Sequence, residues 1–251
     1  MNPGGLPILT YHSIDAGDAP TSTSPVRFAE TLDALREAGF RAVDLLDWID
    51  RGRPEVEKSF ALAFDDGLLS ILGVADRIAR DAIPATVFLL AGRIGLDNAW
   101  PGQPDGIPRA RLLGWSDLEA LARLGFRFGS HGVSHARLDR LAPDRAESEL
   151  IRSRESIEQK IARPCRLFAY PYGASNATVR SLAARNYDAA FGTRLAYACS
   201  ADDRFDIARI DGYYLRPRRA VELLISGRWH RRLAVRRVAR MVRASVGSRL
   251  A

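Results

Sequence analysis

A chain of 251 residues and 27.7 kDa, 47% hydrophobic and 27% charged, can build one sizeable core and is too apolar for a disordered segment. It holds no short repeat, low-complexity tract or apolar run of roughly 18 residues, which excludes collagen-like, coiled-coil and membrane-spanning readings. The net charge of +7 sits at one end: residues 216–251 hold eleven arginines against one acid, Glu222, so the remainder is mildly acidic and no nucleic-acid partner is expected.

The first basic residue is Arg27 and the early apolar stretch runs only from Leu6 to Leu9. No signal peptide is therefore predicted, and the chain is expected to work in the cytoplasm, peripheral at the inner membrane surface if its tail binds lipid. Leu6 to His12 reads as a buried strand. Ser24 and Pro25 start a helix, with Phe28, Leu32, Leu35 and Ala38 at helical spacing and Gly39 as the stop. Ser59 to Phe64 is a strand ending at Asp65-Asp66-Gly67, followed by a helix from Leu69 to Arg80 and a strand from Ala85 to Ala91. Residues 92–114, rich in Gly and Pro, form a long loop, and long loops inside compact domains are often functional.

Ser116 and Glu119 fit a capping box for a helix reaching Leu124. Phe126 to Ser130 is a strand ending at His131, Pro143 to Ala162 a long helix, and Cys165 to Tyr170 a strand ending at Pro171-Tyr172-Gly173. A helix near 176–185 leads to a strand from Asp188 to Thr193. Such alternation predicts an α/β fold, an irregular (β/α) barrel of about seven parallel strands with helices outside. Cys165 and Cys199 are too few for a disulfide framework and are expected to be reduced.

Polar residues stand where a purely structural barrel would not need them. Asp65-Asp66, His131 and Tyr172 each follow an apolar strand, Tyr11-His12 ends the first, and His135 lies four residues beyond His131. Each alone has an ordinary explanation as a turn, a helix cap or a surface histidine. Together they gather three of the four histidines at strand ends, where barrels build active sites. One Asp with two His is a three-ligand catalytic metal set, and a second Asp beside it supplies a general base. Two adjacent carboxylates diverge from a strand end, so one coordinates and the other stays free.

Three runs resemble the motifs of the polysaccharide deacetylases, the NodB-homology group or carbohydrate esterase family 4. They are Ala61-Leu62-Ala63-Phe64-Asp65-Asp66-Gly67, Gly129-Ser130-His131-Gly132-Val133-Ser134-His135 and Phe168-Ala169-Tyr170-Pro171-Tyr172-Gly173, in the family's order. The resemblance covers residues 6–211 and implies the same barrel. It implies that Asp66, His131 and His135 bind a divalent metal (zinc, with nickel or cobalt as alternatives), and that Asp65 is the base. It also implies an oxyanion donor in the backbone near Tyr172.

Three positions depart from that pattern. Gly132 replaces a Ser or Thr whose hydroxyl would brace the loop. Ala169 replaces an arginine that orients the base; Arg209 either supplies that guanidinium from a neighbouring strand or is a structural ion-pair residue. No C-terminal Leu-x-x-His motif supplies the acid, since His230 lies in the arginine-rich tail. Instead Leu9-Thr10-Tyr11-His12-Ser13 resembles the first strand of a subgroup acting on exopolysaccharide N-acetylglucosamine, which implies His12 as the acid.

The expected activity is removal of acetyl from an N-acetylated aminosugar, carried as a lipid-linked, nucleotide-linked or small glycoside precursor. Alternatives are a same-fold hydrolase of a non-sugar amide, or a silent sugar-binding or membrane-associated partner. The chain divides into a catalytic domain, 1–215, and a basic tail, 216–251. On a helical wheel from Trp229, Ala234, Val235, Val238, Met241, Val242 and Val246 share one face, while Arg232, Arg236, Arg240 and Arg243 lie opposite. Arg231 breaks the apolar face and Leu233 falls off it. Residues 229–246 are thus expected either to touch an anionic membrane or to pack as a final helix with solvated arginines.

Overall fold

The computed structural model describes residues 5–229. β1 (Ile8–Tyr11) leads into a small parallel ribbon of β2 (Ser13–Ile14) and β3 (Ser22–Thr23), then α1 (Pro25–Glu37). β4 (Arg41–Ala42) and α2 (Leu45–Asp50) precede β5 (Ser59–Phe64). Strand and helix then alternate through α3 (Leu72–Arg80), β6 (Ala85–Leu89), α4 (Trp115–Arg123), β7 (Arg127–Ser130), α5 (Pro143–Ile161), β8 (Leu167–Ala169) and α6 (Ala177–Asn186). β9 (Ala189–Leu195), β10 (Ile207–Asp211) and α7 (Arg218–Ile225) complete the described chain.

The main sheet runs β1-β10-β9-β8-β7-β6-β5, and β5 returns to β1 with Ile8 opposite Ala61 and Tyr11 opposite Phe64. All these pairs are parallel, so seven strands close into a barrel, as the alternation predicted. β4 adds to the start of β5 beside the ring.

Period-two alternation splits the buried residues into two cores. Ile8, Ala61, Ala63, Phe88, Leu167, Ala169, Phe191 and Ile207 fill the barrel, and Trp48 and Ile49 of α2 pack with them. The alternate residues Leu9, Leu62, Phe64, Val87, Leu89, Phe168 and Ile210 pack under the helices instead. Phe88 and Phe191 meet inside at 5.4 Å. Gly129 is required beside them: a Cβ there would stand 2.6 Å from the Phe88 ring.

Ser24 caps α1 by accepting from the Arg27 amide at 3.2 Å, with Pro25 first in the helix and Phe28, Leu32 and Leu35 on its buried face. The expected Ser116–Glu119 capping box is not what starts α4. That helix begins two residues earlier, where the Asp117 carboxylate accepts from the Gly114 amide at 2.8 Å and places Asp117 in the first turn. The helix α2 had no expectation; Asp44 caps it by accepting from Leu46 and Asp47.

Cys165 and Cys199 are free thiols, as expected. α7 packs on α1, and its Ala220, Val221 and Leu224 join the main core together with Trp229. The packed body therefore continues beyond residue 215. Trp229 is fully buried. The rest of the expected tail helix, and His230, lie outside the described residues. No helix among the described residues is long and apolar enough to cross a membrane.

Candidate active site

The barrel's alternation carries straight into the site. Residues 61 and 63 of β5 face inward, and Asp65 continues that parity; His12 follows β1, His131 follows β7, and Arg209 and Asp211 lie within β10 on the parity of Ile207. Asp66 should point outward, but its φ of 69° turns it back over the strand ends. The two adjacent carboxylates thus diverge, one into the barrel and one towards the histidines.

Asp66 Oδ1 lies 3.4 Å from His131 Nε2 and 3.3 Å from His135 Nε2. All three residues are buried, and their ligand atoms lie within 4.8 Å of one another. The tautomer of His131 decides what this triangle is. Its Nδ1 stands 2.7 Å from the Ala169 carbonyl, which can only accept, so Nδ1 carries a proton, and in the neutral ring a metal ligand requires, Nε2 turns its lone pair towards Asp66. A lone pair facing a carboxylate oxygen is repulsive unless a cation lies between them. Asp66 Oδ1 has no hydrogen-bond partner despite its burial. Tetrahedral ligands about 2.1 Å from one ion stand roughly 3.4 Å apart, so the donor set and its spacing fit a divalent metal.

The local charges agree. Burial alone would raise the Asp66 carboxyl; a cationic donor turned towards it, either imidazolium N–H groups of His131 and His135 or a metal ion between the rings, holds it well below its ordinary value. Burial pushes His135 down despite Asp66, favouring the neutral ligand form. His135 adopts φ 63° and lies between two aromatic rings, Trp100 at 4.2 Å and Tyr172 at 4.4 Å. Trp100 Nε1 donates to the Tyr172 hydroxyl at 3.2 Å, which ties the clamp together. His135 Nδ1 has no partner, so these rings fix its plane.

Arg209 lies against Asp65. From β10 it donates to both oxygens of Asp65, at 2.7 and 2.8 Å, and through Nε to the Gly192 carbonyl at 3.0 Å. Ala169 lies two strands away, inside the barrel, and contributes only its carbonyl. Burial would raise the Asp65 carboxyl, yet the Arg209 charge and hydrogen bonds, together with His131 and His12, hold the group below the ordinary carboxylate value.

His12 lines the same cavity, its Nδ1 3.9 Å from Asp211 Oδ2. Asp211 is oriented by accepting from the Tyr213 amide at 2.8 Å. Burial lowers the His12 pKa, but Asp211, with smaller contributions from Asp66 and Asp65, raises it overall above the usual imidazole value. Tyr172 adopts φ 58° in the turn after β8. The ring of expected residues therefore lines one cavity of about 470 Å³, with Asn98, Trp100, Gln103 and Asp105 of the long loop as a wall.

Trp100 and Asp211 were not anticipated. Asp211 ends an apolar strand, the rule that found the others; Trp100 carried only the weaker signal of a large aromatic inside a Gly- and Pro-rich loop.

Residues 52–189 match the sequence profile of the polysaccharide deacetylases. Over 178 residues the chain is 23% identical to YxkH of Bacillus subtilis (strain 168), covering 69% of this chain and 59% of that protein; the chain thus spans less than two thirds of that relative. Its fold is similar to that of the Streptococcus pyogenes deacetylase PplD in complex with acetate (TM-score 0.72, 21% identity, 82% of this chain and 92% of that one). It is also similar to IcaB from Ammonifex degensii (TM-score 0.73, 22% identity, 91% and 98%). A family profile matched over more than half of the sequence, on a seven-stranded barrel with an Asp-His-His site at its strand ends, shows that the chain belongs to the polysaccharide deacetylase family.

Proposed function

We propose that this protein removes the acetyl group from an N-acetylated aminosugar, giving acetate and a free amine. The observation that carries the proposal is the division of labour between neighbours: Asp66 faces the histidine pair while Asp65 faces Arg209. Asp66, His131 and His135 would hold the divalent metal, zinc first. When bound, the cation lowers the pKa of a coordinated water and polarises the amide carbonyl.

Asp65 takes the proton of the attacking water. Its carboxylate keeps free lone pairs beside the two used by Arg209, and its lowered pKa keeps it ionised and ready to accept. Arg209 holds it in place from below. The Tyr172 backbone N–H is assigned to the oxyanion, as acyl transfer requires a donor where negative charge develops. His12, whose pKa Asp211 raises, delivers a proton to the departing nitrogen, without which an amine anion would have to leave. The neighbouring polar and aromatic wall of Asn98, Trp100, Gln103 and Tyr214 suits a sugar ring with hydroxyls at its edge and apolar faces. The PplD structure was solved with acetate, which is the acid product expected here.

Acetate release, followed by mass spectrometry, tests this across N-acetylated free sugars, oligosaccharides, nucleotide sugars and lipid-linked sugars, with simple non-sugar acetamides beside them. Turnover confined to one aminosugar class is expected. Turnover of the non-sugar amides alone would replace this reading with that of a different carbon–nitrogen hydrolase.

A further inference from the structure

Between its two histidines the chain makes a tight turn, with Gly132 at φ 86° and His135 at φ 63°. Every backbone group in that turn for which a partner is seen is held by a neighbouring element. The carbonyls of Gly132 and Val133 accept from the amides of Ala91 and Gly92, each at 3.0 Å. On the opposite edge stands one side chain, Glu149 of α5. Its Oε2 accepts from the Val133 amide at 2.7 Å and the Ser134 amide at 3.0 Å, and its Oε1 accepts from the Ser134 hydroxyl at 2.7 Å.

The same helix grips the strand that delivers His131. One turn on from Glu149, the Ser153 hydroxyl accepts from Ser130 at 2.7 Å, and Ser130 Oγ accepts from the Gly132 amide at 3.1 Å. Residue 132 itself offers no hydroxyl. A side chain there would need φ 86°, and its Cβ would lie 3.2 Å from Glu149 Oε2.

Resting on the metal assignment above, we propose that Glu149 is a positioning residue for the metal centre. Its three charge-assisted hydrogen bonds lock the 132–135 turn so that both histidine Nε2 atoms face Asp66, and the carboxylate adds negative charge behind the ligands. It touches neither substrate nor the reacting atoms. Losing it would leave two amides of the turn unpartnered and let the His135 ring drift from His131.

The test is metal affinity. Zn²⁺ and Co²⁺ are titrated into metal-stripped full-length protein in competition with a chromophoric chelator, and the visible spectrum of the Co²⁺ form is recorded. Glu149→Ala should weaken binding about 10–100-fold and broaden the Co²⁺ bands. Glu149→Gln keeps an oxygen for the two amides but loses the charge, and should weaken binding by a smaller factor; it decides the matter if the alanine variant does not fold. Variants that melt earlier without metal yet bind both ions as wild type does would show a structural role only and overturn the proposal. Wild-type protein that binds neither ion would instead overturn the metal assignment, and this proposal with it.

Discussion

Arg209 grips Asp65 from across β1, its two terminal nitrogens on the two carboxylate oxygens at 2.7 and 2.8 Å. Both residues are nearly sealed from solvent, with side chains 3% and 5% exposed. The fork geometry and the buried setting make this a pair that lysine cannot reproduce.

Arg209→Met should therefore act twice. It leaves a buried carboxylate without its partner, a change that costs about 3–5 kcal/mol in such pairs and is read by urea unfolding. It also removes the charge that holds Asp65 low, so the Asp65 pKa rises. Only the ionised form accepts a proton, and the acid limb of kcat/KM should move to higher pH. In the intact protein the same depression stabilises the fold above the unfolded carboxylate pKa of about 4, and that stabilisation is lost as pH falls through the lowered folded value. An acid limb that stays put in Arg209→Met would show that Arg209 does not tune the base.

His12 and Asp211 predict the alkaline limb. Asp211 is a contributor that persists once Asp66 is engaged by a cation, and it raises the His12 pKa. Asp211→Asn should lower that pKa and bring the alkaline limb of kcat down in pH. His12→Ala should slow acetamide cleavage about 10²–10⁴-fold but spare an activated acetate ester, whose leaving group needs no proton. Equal losses on both substrates would remove His12 from the role of acid.

The aromatic clamp predicts a local effect. Trp100 belongs to a small separate cluster with Leu68, Leu90 and Leu112, not to the main core. Trp100→Ala should accelerate amide exchange across residues 98–110 and loosen His135, while exchange in β5 to β9 stays slow. Trp100→Phe keeps a ring on His135 but loses the hydrogen bond to Tyr172, and should fall between the two. Uniform acceleration across the barrel after Trp100→Ala would show that the clamp is part of the global fold.

The barrel was legible because its strands are buried on both faces and end abruptly at polar residues: Ser59–Phe64 stops at Asp65, and Arg127–Ser130 stops at His131. Two-residue strands such as Arg41–Ala42 carry no periodicity and left no mark. The start of α4 was misplaced because Ser116 and Glu119 satisfy the spacing of a capping box, whereas a backbone amide at Gly114 bonding to Asp117 leaves only an acid in the first turn as its signal. In the site, strand-end histidines announced themselves. Glu149 did not, since one of several acids on a long, charge-rich helix looks like any solvated one until the fold brings residues 132–134 against it. Arg209 could be named but not assigned, because pairing it with Asp65 depends on which strands are neighbours in the closed ring.

Metal content and turnover measured side by side in Asp65→Asn and Asp66→Asn test the central claim most directly. Asp66→Asn should lose both metal and activity, because it removes the anionic ligand at the centre of the histidine pair. Asp65→Asn should keep stoichiometric metal and lose about 10²–10⁴ in rate, because the water then has no proton acceptor. An Asp65→Asn protein that comes up empty while Asp66→Asn retains its metal would contradict the account and exchange the two roles.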